Sequence, residues 1–356
     1  MRFAILLAAA AIAVAPVSAA DFVAREVASL DNPWGMAFLP DGRALITEKP
    51  GRIRMLTLTG TVTAPLAGVP AVAYSGQLGL LDIEISPFFK SDRFVYISYA
   101  EAAPGGEQIA VARAKFTNDR FGPFTVIWRN QPTGGGHPGG RMAMTRKYEL
   151  FVATGDRQQG SPAQDTQKSL GKIVRLNLAG APKVGNPFAK NPAYRPEIWT
   201  LGHRNPYGLA FDPATDNLWE HEMGPQNGDE LNLIVRGANY AWPLVSNGQN
   251  YDGSDIPDHA PGDGFEAPKK WWASTIAPSG MSFYTGDMFP QWKGHLLMGG
   301  LAAQSLFDIT VSGSSVTGEV RYPVGARVRD VQAAPDGSVY LLTDGGSGKL
   351  LRLTPN

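Results

Sequence analysis

The 356-residue chain has no cysteine, which excludes disulfide bonds and thiolate-bound metal ions. It also has no excess of charge, because 32 basic residues balance 32 acidic ones. Electrostatics therefore gives no reason to expect nucleic acid or an anionic membrane surface as a partner. Helix signals are nearly absent after residue 20. Glycine (41) and proline (28) are frequent but fall short of a disordered composition, so we expect a turn-rich globular protein.

A long apolar run occurs at the N-terminus. Residues 3–15, FAILLAAAAIAVA, follow Arg2, and small residues at 17–20 offer a cleavage site. The pattern predicts a secretory signal peptide over residues 1–20, too short to span a membrane as a mature helix; the alternative is an uncleaved anchor. We expect residues 21–356 to act in the periplasm or outside the cell, without stable membrane insertion. An enzyme there needs hydrolytic chemistry or a tightly held cofactor.

Similar hairpins recur along the rest of the chain. The clearest copies are NPWGMAFLPDGRALITE (32–48), NPYGLAFDPATDNLWEHE (205–222) and RDVQAAPDGSVYLLTD (329–344), with weaker copies starting near residues 79, 140 and 280. Short alternating strands at this spacing predict an all-β fold, a single six-bladed β-propeller over residues 21–356. Residues 22–30 are expected to pair beside residues 348–355 and close the ring. A β-sandwich is the alternative, but it does not predict six similar hairpins.

A propeller gathers the loops that enter its innermost strands at one end of the central channel. These loops carry polar side chains that are far apart in the sequence. We expect them to meet there and assemble a site with about one polar residue from each blade. The candidates in these loops are Gln77, His137, Arg204, Asn205, Thr275 and Arg327.

The segment QPTGGGHPGGRMAM, residues 131–144, places His137 among five glycines. Glycine is tolerated in such number mainly where backbone turns unusually or a ligand approaches closely. An imidazole titrates near neutral pH, so His137 is the candidate general base. Asp156, at the end of the next strand, could orient it. The alternatives are a solvent-facing histidine and an aspartate that caps a turn.

Three arginines near strand entries suggest an anionic ligand. Arg204 lies in GHRNPYG, and Arg327 and Arg329 lie two residues apart in GARVRD. In a strand the last two share one face, where their charges repel unless an anion or carboxylates lie between them. They could form a fork for a polycarboxylate or phosphate. A surface pair with separate acidic neighbours is the alternative.

The segment EMGPQNGDELNLIVRGANYAW, residues 222–242, offers oxygen donors but no clustered histidine. Such donors suit a hard cation such as Ca²⁺. Neither EF-hand spacing nor, among the five histidines, zinc-ligand spacing is present. The candidates are the carbonyls of Gly224 and Pro225, then Asp229, Glu230 and Tyr240.

Taken together and in order, these segments resemble the soluble PQQ-dependent aldose sugar dehydrogenases, relatives of soluble quinoprotein glucose dehydrogenase. The resemblance covers roughly residues 22–355 and implies a six-bladed β-propeller. It is carried by NPWGMAFLPDG, GQLGLLDIEISP, GGHPGGRMAM, VATGDRQQG, GHRNPYGLAFDP, EMGPQNGDELN, TIAPSGM and RVRDVQAAPDG.

The resemblance implies a role for each candidate. His137 would take the proton from the sugar's anomeric hydroxyl, with Asp156 beside it, and Arg204 would stabilise negative charge developing on the quinone. The carbonyls of Gly224 and Pro225 would hold the Ca²⁺ that also binds PQQ. A second Ca²⁺, away from the chemistry, would involve Glu230 and Tyr240, with Asp229 as a further candidate. The positions that match quinone contacts are Gln77, Arg204, Asn205, Thr275, Arg327 and Arg329.

The implied reaction is oxidation of an aldose at its C1 hydroxyl to the lactone, with electrons passed to a soluble or artificial acceptor; the oligomeric state is open. One position departs from the family. MGGLAAQSL has Ala302 where members commonly have a quinone-contacting lysine, so Gln304 or another donor would have to substitute.

Two other functions are considered: a propeller lactonase or hydrolase, and a non-catalytic carbohydrate-binding propeller. For the hydrolase, the strand-end carboxylates would be Glu48, Asp156, Glu222 and Asp344.

Overall fold

The computed structural model describes residues 22–356, which form six β-sheets arranged as the blades of a propeller. The predicted all-β, six-bladed architecture is confirmed. The expected signal peptide lies outside the described residues. Within them, no helix has both the length and the apolar character needed to cross a membrane. The helical elements of this range are α1 (Phe89–Asp92) and the 3₁₀ turns Ser161–Ala163 and Pro290–Trp292.

The blades follow one another along the chain, and each runs from an innermost strand outward. Blade 1 contains β2 (Pro33–Phe38), β3 (Ala44–Glu48) and β4 (Arg52–Leu56). Blade 2 contains β5 (Leu80–Ile85), β6 (Phe94–Ala103), β7 (Gly106–Thr117), β8 (Arg120–Phe121) and β9 (Thr125–Arg129). Blade 3 contains β10 (Gly139–Thr145), β11 (Glu149–Thr154), β12 (Lys172–Asn177) and β13 (Ile198–Leu201).

The second half of the ring repeats this pattern. Blade 4 contains β14 (Pro206–Phe211), β15 (Leu218–Glu222), β16 (Asp229–Leu233) and β17 (Lys270–Trp272). Blade 5 contains β18 (Pro278–Phe283), β19 (Leu296–Gly300), β20 (Ser305–Ser312) and β21 (Ser315–Pro323). Blade 6 contains β22 (Val328–Ala333), β23 (Val339–Thr343), β24 (Gly348–Pro355) and, from the start of the described chain, β1 (Phe22–Leu30).

The ring closes as the sequence predicts. Strand β1 pairs antiparallel with β24, from Phe22 opposite Pro355 to Leu30 opposite Gly348. Blade 6 is therefore built from both ends of the described chain. This pairing leaves no open gap between the first and last blades and satisfies the backbone groups of β24.

All six innermost strands have a register shift close to where they begin. A β-bulge bends a strand and re-aims its side chains, and bulges are common at barrel rims beside active sites. Their common position here turns the first residues of each innermost strand toward one mouth of the channel. The shifts lie between Pro33 and Met36, Leu80 and Ile83, Gly139 and Met142, Pro206 and Gly208, Ser279 and Met281, and Val328 and Asp330.

Below this mouth, a buried ionic cluster joins three innermost strands across the channel. Arg141 Nη1 lies 2.8 Å from Asp82 Oδ1, and Arg141 Nη2 lies 2.8 Å from Asp330 Oδ1. The guanidinium also lies 4.2 Å from the centre of the Trp34 ring. Burial raises the pKa of Asp330 to about 6, although the charge of Arg141 opposes the shift. No sequence pattern indicated this cluster, which forms the floor beneath the site.

Candidate active site at one mouth of the propeller

In five blades the first residue of the innermost strand pairs with the last residue of the second strand, and in blade 2 Leu80 pairs with Tyr99, within β6. Because the six strands enter the ring at the same end, both sets of residues lie around one mouth. Hydrogen bonds cross from blade to blade there, for example from Leu80 N to Lys49 O and from Asp156 N to Arg204 O. The pairs are Pro33–Glu48, Leu80–Tyr99, Gly139–Thr154, Pro206–Glu222, Pro278–Gly300 and Val328–Thr343.

His137 and Asp156 are brought into direct contact at this mouth. His137 Nδ1 lies 2.7 Å from Asp156 Oδ1. Both residues are buried, Asp156 almost completely. With the Nδ1 proton directed to the carboxylate, the neutral imidazole keeps Nε2 as a free proton acceptor. The pair has the geometry of a general base oriented by a carboxylate.

Close contacts with neighbouring backbone and side-chain atoms explain the glycines around His137. His137 has φ = +44°, an unfavourable conformation for a side-chain-bearing residue, and its N–H donates to Gln77 Oε1 over 2.6 Å. A Cβ on Gly136 would lie 3.0 Å from that same oxygen, and one on Gly155 would overlap the carbonyl of His137. A Cβ on Gly135 would lie 2.7 Å from the carbonyl of Arg157, so the backbone at 135 and 155 packs too closely for any side chain.

The carboxylate of Asp156 is held by four donors. Oδ1 accepts from His137 and from Gln158 N (2.8 Å), and Oδ2 accepts from Gly160 N (3.1 Å) and Trp242 Nε1 (2.8 Å). Burial raises the pKa of Asp156, but the hydrogen bonds, led by that of His137, outweigh burial and bring it below its usual value. Asp156 is therefore a stable anion at neutral pH. Trp242 was not among the predicted residues, and no local pattern marks it.

Arg204 extends over the neighbouring loop of blade 4. Its Nη1 donates to the carbonyls of Met223 (2.9 Å) and Gly224 (2.6 Å), and its Nη2 donates to the Tyr251 hydroxyl (3.2 Å). Nε is buried and has no hydrogen-bond partner within residues 22–356. The predicted calcium-binding carbonyl of Gly224 thus faces the same space as Arg204, and Pro225 lines the small cavity beside it.

Asn205 lies next to Arg204 and keeps unused hydrogen-bonding capacity. Glu222 Oε2 accepts from the backbone N–H of Arg204 and from that of Asn205, the latter over 3.2 Å. Asn205 Nδ2 has only the sulfur of Met223, 3.9 Å away, and its buried Oδ1 has no partner in the described chain. An orphaned buried polar atom at a site mouth is a place for a ligand or water.

The two arginines of blade 6 form the expected fork, with one carboxylate between them. Asp344 Oδ2 accepts from Arg327 Nε (3.0 Å), and Asp344 Oδ1 accepts from Arg329 Nη2 (2.7 Å). Burial raises the pKa of Asp344, but these guanidiniums, chiefly Arg329, more than offset burial and lower it. The acidic neighbour is thus shared, not separate, and the fork keeps one net positive charge.

Two residues that the sequence did not single out extend this positive mouth toward His137. The Tyr207 ring lies 5.5 Å from the Arg329 guanidinium, and its hydroxyl lies 3.3 Å from Gln77 Oε1. Lys49 Nζ donates to Gly76 O over 2.5 Å. Burial, and then the charge of Arg329, lower the pKa of Lys49. One aromatic ring and one amide therefore link Arg329 to the backbone of His137.

Thr275 and Asp229 lie beside the site in a different arrangement from the one expected. Thr275 is exposed, and its hydroxyl contacts Asn227 Oδ1 at 3.2 Å. Asp229 accepts from Gly224 N (3.0 Å), Ile276 N (2.7 Å) and the N–H of residue 277 (2.8 Å). Asp229 therefore acts as a clamp for two loops. Ala302, the departure from the family pattern, is exposed next to this loop and donates its N–H to Ile276 O.

Glu230 and Tyr240 lie in a buried acidic cluster behind the mouth. Burial, and then the charge of Glu222, raise the pKa of Glu230 well above its usual value. The Tyr240 hydroxyl is already used, donating to Leu233 O at 2.5 Å, so only its backbone oxygen could serve a cation. Three residues of this cluster could share a metal ion, namely His203, Glu220 and Glu222. Of these the sequence indicated only Glu222, as a carboxylate for a hydrolase. The alternation of β15 was the available signal for Glu220, because Glu220 and Glu222 share one strand face.

Lys172 supports the loop that follows Asp156. Its buried ammonium donates to the carbonyls of Pro162 (2.8 Å), Ala163 (2.9 Å) and Leu170 (2.8 Å), and burial lowers the pKa of Lys172 to about 7. In the unfolded chain the lysine keeps its proton up to about pH 10.4. Between these two pKa values, the unfolded chain binds more protons than the folded protein does. The contribution of Lys172 to the free energy of unfolding therefore rises with pH.

We expect Lys172→Met to remove this rise. From pH 7 to pH 9, the free energy of unfolding of the unsubstituted protein should increase relative to the variant by about 1.4 kcal/mol per pH unit. Urea unfolding of both proteins at several pH values measures it. Lys147→Met, at an exposed ion pair with Asp216, is the control and should show no such trend. Parallel pH curves for the unsubstituted and Lys172→Met proteins would contradict the prediction.

A six-bladed ring with a histidine–carboxylate pair and clustered arginines at one mouth defines a class, the propeller dehydrogenases. The chain belongs to the glucose/sorbosone dehydrogenase family, whose model matches residues 30–352. It is 41% identical to aldose sugar dehydrogenase YliI of Escherichia coli K12 over 337 residues, 92% of this chain and 91% of that protein.

Solved structures agree in fold over nearly the whole chain. The apo-form soluble aldose sugar dehydrogenase of Escherichia coli superposes with a TM-score of 0.90 at 40% identity, covering 94% of this chain and 100% of that one. A PQQ-bound aldose sugar dehydrogenase of Streptomyces coelicolor superposes with a TM-score of 0.77 at 29% identity, covering 96% and 100%. These similarities favour a dehydrogenase over the two other functions considered.

Proposed function

We propose that this protein is a PQQ- and calcium-dependent aldose sugar dehydrogenase that acts in the periplasm or outside the cell. It oxidises the C1 hydroxyl of an aldose to the lactone and passes the electrons to a soluble or artificial acceptor. The observation that carries the proposal is the His137–Asp156 pair beside the arginines of the same mouth. Family membership and the PQQ-bound structural relative support it.

The donor set at the mouth fits a flat polyanion such as PQQ, which has three carboxylates. Arg204 Nε is a buried donor without a hydrogen-bond partner among the described residues, and Asn205 Nδ2 has only a sulfur contact there. The Arg327–Arg329 fork keeps a net positive charge after its pairing with Asp344. When bound, PQQ would supply the acceptor for the hydride. We assign its binding to Gln77, Arg204, Asn205, Thr275, Arg327 and Arg329, with His137 at its side.

The oxygen-rich region behind Arg204 fits calcium. The carbonyl of Gly224 points into the mouth, with Pro225 next to it, and these would hold the ion that also binds PQQ. The second ion would lie near Glu230 and the backbone of Tyr240, where buried carboxylates lack a compensating cation. Oxygen ligands of this kind are those that Ca²⁺ prefers. Asp229 is better explained as a loop clamp than as a ligand.

The protein's own part in the reaction is proton transfer and electrostatic support. His137 Nε2 would accept the proton of the sugar's C1 hydroxyl, and the contact of Nδ1 with Asp156 would hold the ring in the correct tautomer and stabilise the imidazolium. Arg204 would offset the negative charge that develops during the transfer.

The carboxylates required for a hydrolase are already engaged within the described chain. Glu48 pairs with Arg52 at 2.7 Å, Asp344 with the two arginines of blade 6, and Asp156 with His137. Glu222 accepts from two backbone N–H groups. Glu222 also lies with His203 and Glu220 in the buried cluster behind the mouth. The four strand-end carboxylates therefore do not form the open ring that a central catalytic metal needs.

The test is reconstitution of the purified protein with PQQ and CaCl₂. A visible absorbance band should saturate at one PQQ per chain, and aldoses should then reduce an artificial acceptor. Arg329→Gln should weaken PQQ binding by about 10- to 100-fold, because it removes a charged donor. Arg352→Gln, on the same blade but paired with Asp336 away from the mouth, is the matched control. Absence of saturable PQQ binding to the unsubstituted protein would end the proposal.

A further inference from the structure

Trp242 contacts two parts of the site at once. Its indole Nε1 donates to Asp156 Oδ2 over 2.8 Å, and its ring centre lies 5.2 Å from the guanidinium carbon of Arg204. We propose that Trp242 is a positioning residue that fixes the base-orienting carboxylate and the cofactor-binding arginine relative to each other. The inference rests on the proposed function and adds a residue that acts through these two.

The hydrogen bond from the indole limits how Asp156 can turn. Trp242 Nε1 and Gly160 N hold Oδ2, which leaves Oδ1 directed at His137 Nδ1. The charged or titratable side chains beside the Asp156 carboxylate are His137 and Arg157, whereas Arg204 contacts Asp156 through its backbone carbonyl. Without the indole donor, the carboxylate loses one stabilising partner and becomes more basic. It then holds a protonated His137 more strongly.

The face of the Trp242 ring contacts the guanidinium of Arg204. The guanidinium lies between Trp242 and the exposed Tyr251, whose ring centre is 5.8 Å away on another part of the loop. Aromatic faces attract a cation and favour one orientation of its plane. This contact directs Nη1 to the carbonyls of Met223 and Gly224. The unpartnered Nε therefore has a defined position before any ligand binds.

Trp242 is itself anchored through its backbone. Its N–H donates to Gly202 O over 3.0 Å, and its carbonyl accepts from Gln164 Nε2 over 2.7 Å. Gln164 is in turn paired with the side chain of Asn239. Because Gln164 belongs to the loop that follows Asp156, the indole and the carboxylate are tied to the same loop. The contact is therefore part of a fixed framework.

The first test is Trp242→Phe, which keeps a ring face and removes the N–H. We expect kcat/KM at neutral pH to fall by about 10-fold, as for loss of a hydrogen bond to a charged group. The acidic limb of its pH profile should move to higher pH, because an Asp156 that lacks the indole donor interacts more strongly with the imidazolium. PQQ affinity, measured by absorbance titration, should stay within about threefold because the cation–π contact is retained.

The second test is Trp242→Leu, which removes the ring face as well. PQQ affinity should fall by about 3- to 30-fold, the range of a partly desolvated cation–π contact. In an Arg204→Gln background the same substitution should have almost no further effect, because the ring acts through that arginine. An equal loss of affinity in both backgrounds would overturn the proposal.

Trp199→Phe is the matched control, since Trp199 lies 4.6 Å from the Arg175 guanidinium, away from the mouth. It should change neither the pH profile nor PQQ affinity. If Trp242→Phe behaves like this control, with an unshifted acidic limb, the proposal is wrong. Trp242→Phe keeps the packing volume of a ring, so it provides the test even where Trp242→Leu does not fold.

A measurement on the protein without PQQ separates this inference from the proposed function. The Trp242 indole proton, assigned by its loss in Trp242→Phe, should resonate downfield because it donates to a carboxylate. It should move upfield in Asp156→Ala. An indole proton that is insensitive to Asp156 overturns the inference, whereas failure of the unsubstituted protein to bind PQQ overturns only the proposed function.

Discussion

Replacement of His137 by alanine is expected to lower kcat for sugar oxidation by about 100- to 10,000-fold, the usual contribution of a positioned general base. The reason is that His137 Nε2 is the free acceptor of a pair whose other nitrogen is fixed on Asp156, 2.7 Å away. PQQ should still bind, because the arginines that carry its affinity are unchanged. Steady-state turnover with an artificial acceptor and PQQ titration measure the two effects separately.

The chain contains its own control for this substitution. His295 Nδ1 lies 2.7 Å from Asp308 Oδ1, the same pair geometry as His137 and Asp156. His295 precedes β19, whose far end reaches the mouth, so this second pair lies at the opposite end of blade 5. His295→Ala should therefore leave kcat unchanged. If His137→Ala retained PQQ- and Ca²⁺-dependent sugar oxidation near the unsubstituted rate, the assigned mechanism would be wrong.

Most of the ring could be predicted from the sequence because its signals are local. The repeats found near residues 34, 79, 140, 207, 280 and 330 coincide with the six innermost strands, since alternation and Pro-Asp or Asp-Gly turns specify each hairpin without distant contacts. Closure through β1 and β24 followed from the need to protect a sheet edge. Because the six innermost strands enter the ring at the same end, the residues at their starts were expected at one mouth of the channel.

The features of the site that could not be predicted from the sequence depend on contacts between blades and loops. Asp344 sits between Arg327 and Arg329, but the alternation of β22 alone does not say which neighbour supplies that carboxylate. Trp242 reaches Asp156 across 86 positions of the chain. Asp229 suits a metal ion by its type and neighbours, and its oxygens also hold two loops, a role that no local pattern indicates. Such assignments need the register of the bulged strands, which local patterns do not fix.

Arg141 is the clearest case of a residue whose importance only the three-dimensional structure reveals, and its replacement by leucine is expected to lower the free energy of unfolding by about 3–5 kcal/mol. Arg141 bridges Asp82 and Asp330, which lie on separate blades and are both buried. Leucine keeps an apolar volume but leaves two carboxylates facing each other without a cation. Urea or thermal unfolding monitored by tryptophan fluorescence measures the loss.

The loss should depend on pH, which distinguishes uncompensated charge from a packing defect. Burial already raises the pKa of Asp330 to about 6 with Arg141 present, and removal of the cation raises it further. Acidic conditions therefore neutralise the carboxylates in the variant, so the difference in stability from the unsubstituted protein should be smaller at pH 5.5 than at pH 8.

Arg352→Leu, which breaks an exposed pair with Asp336, provides the comparison and should cost about 0–1 kcal/mol. Because Arg141 Nε also donates to Tyr207 O over 3.0 Å, the Arg141 variant should weaken PQQ binding through the floor of the mouth as well. An Arg141→Leu protein as stable as the Arg352 variant, with the same loss at both pH values, would show that the cluster does not hold the innermost strands together.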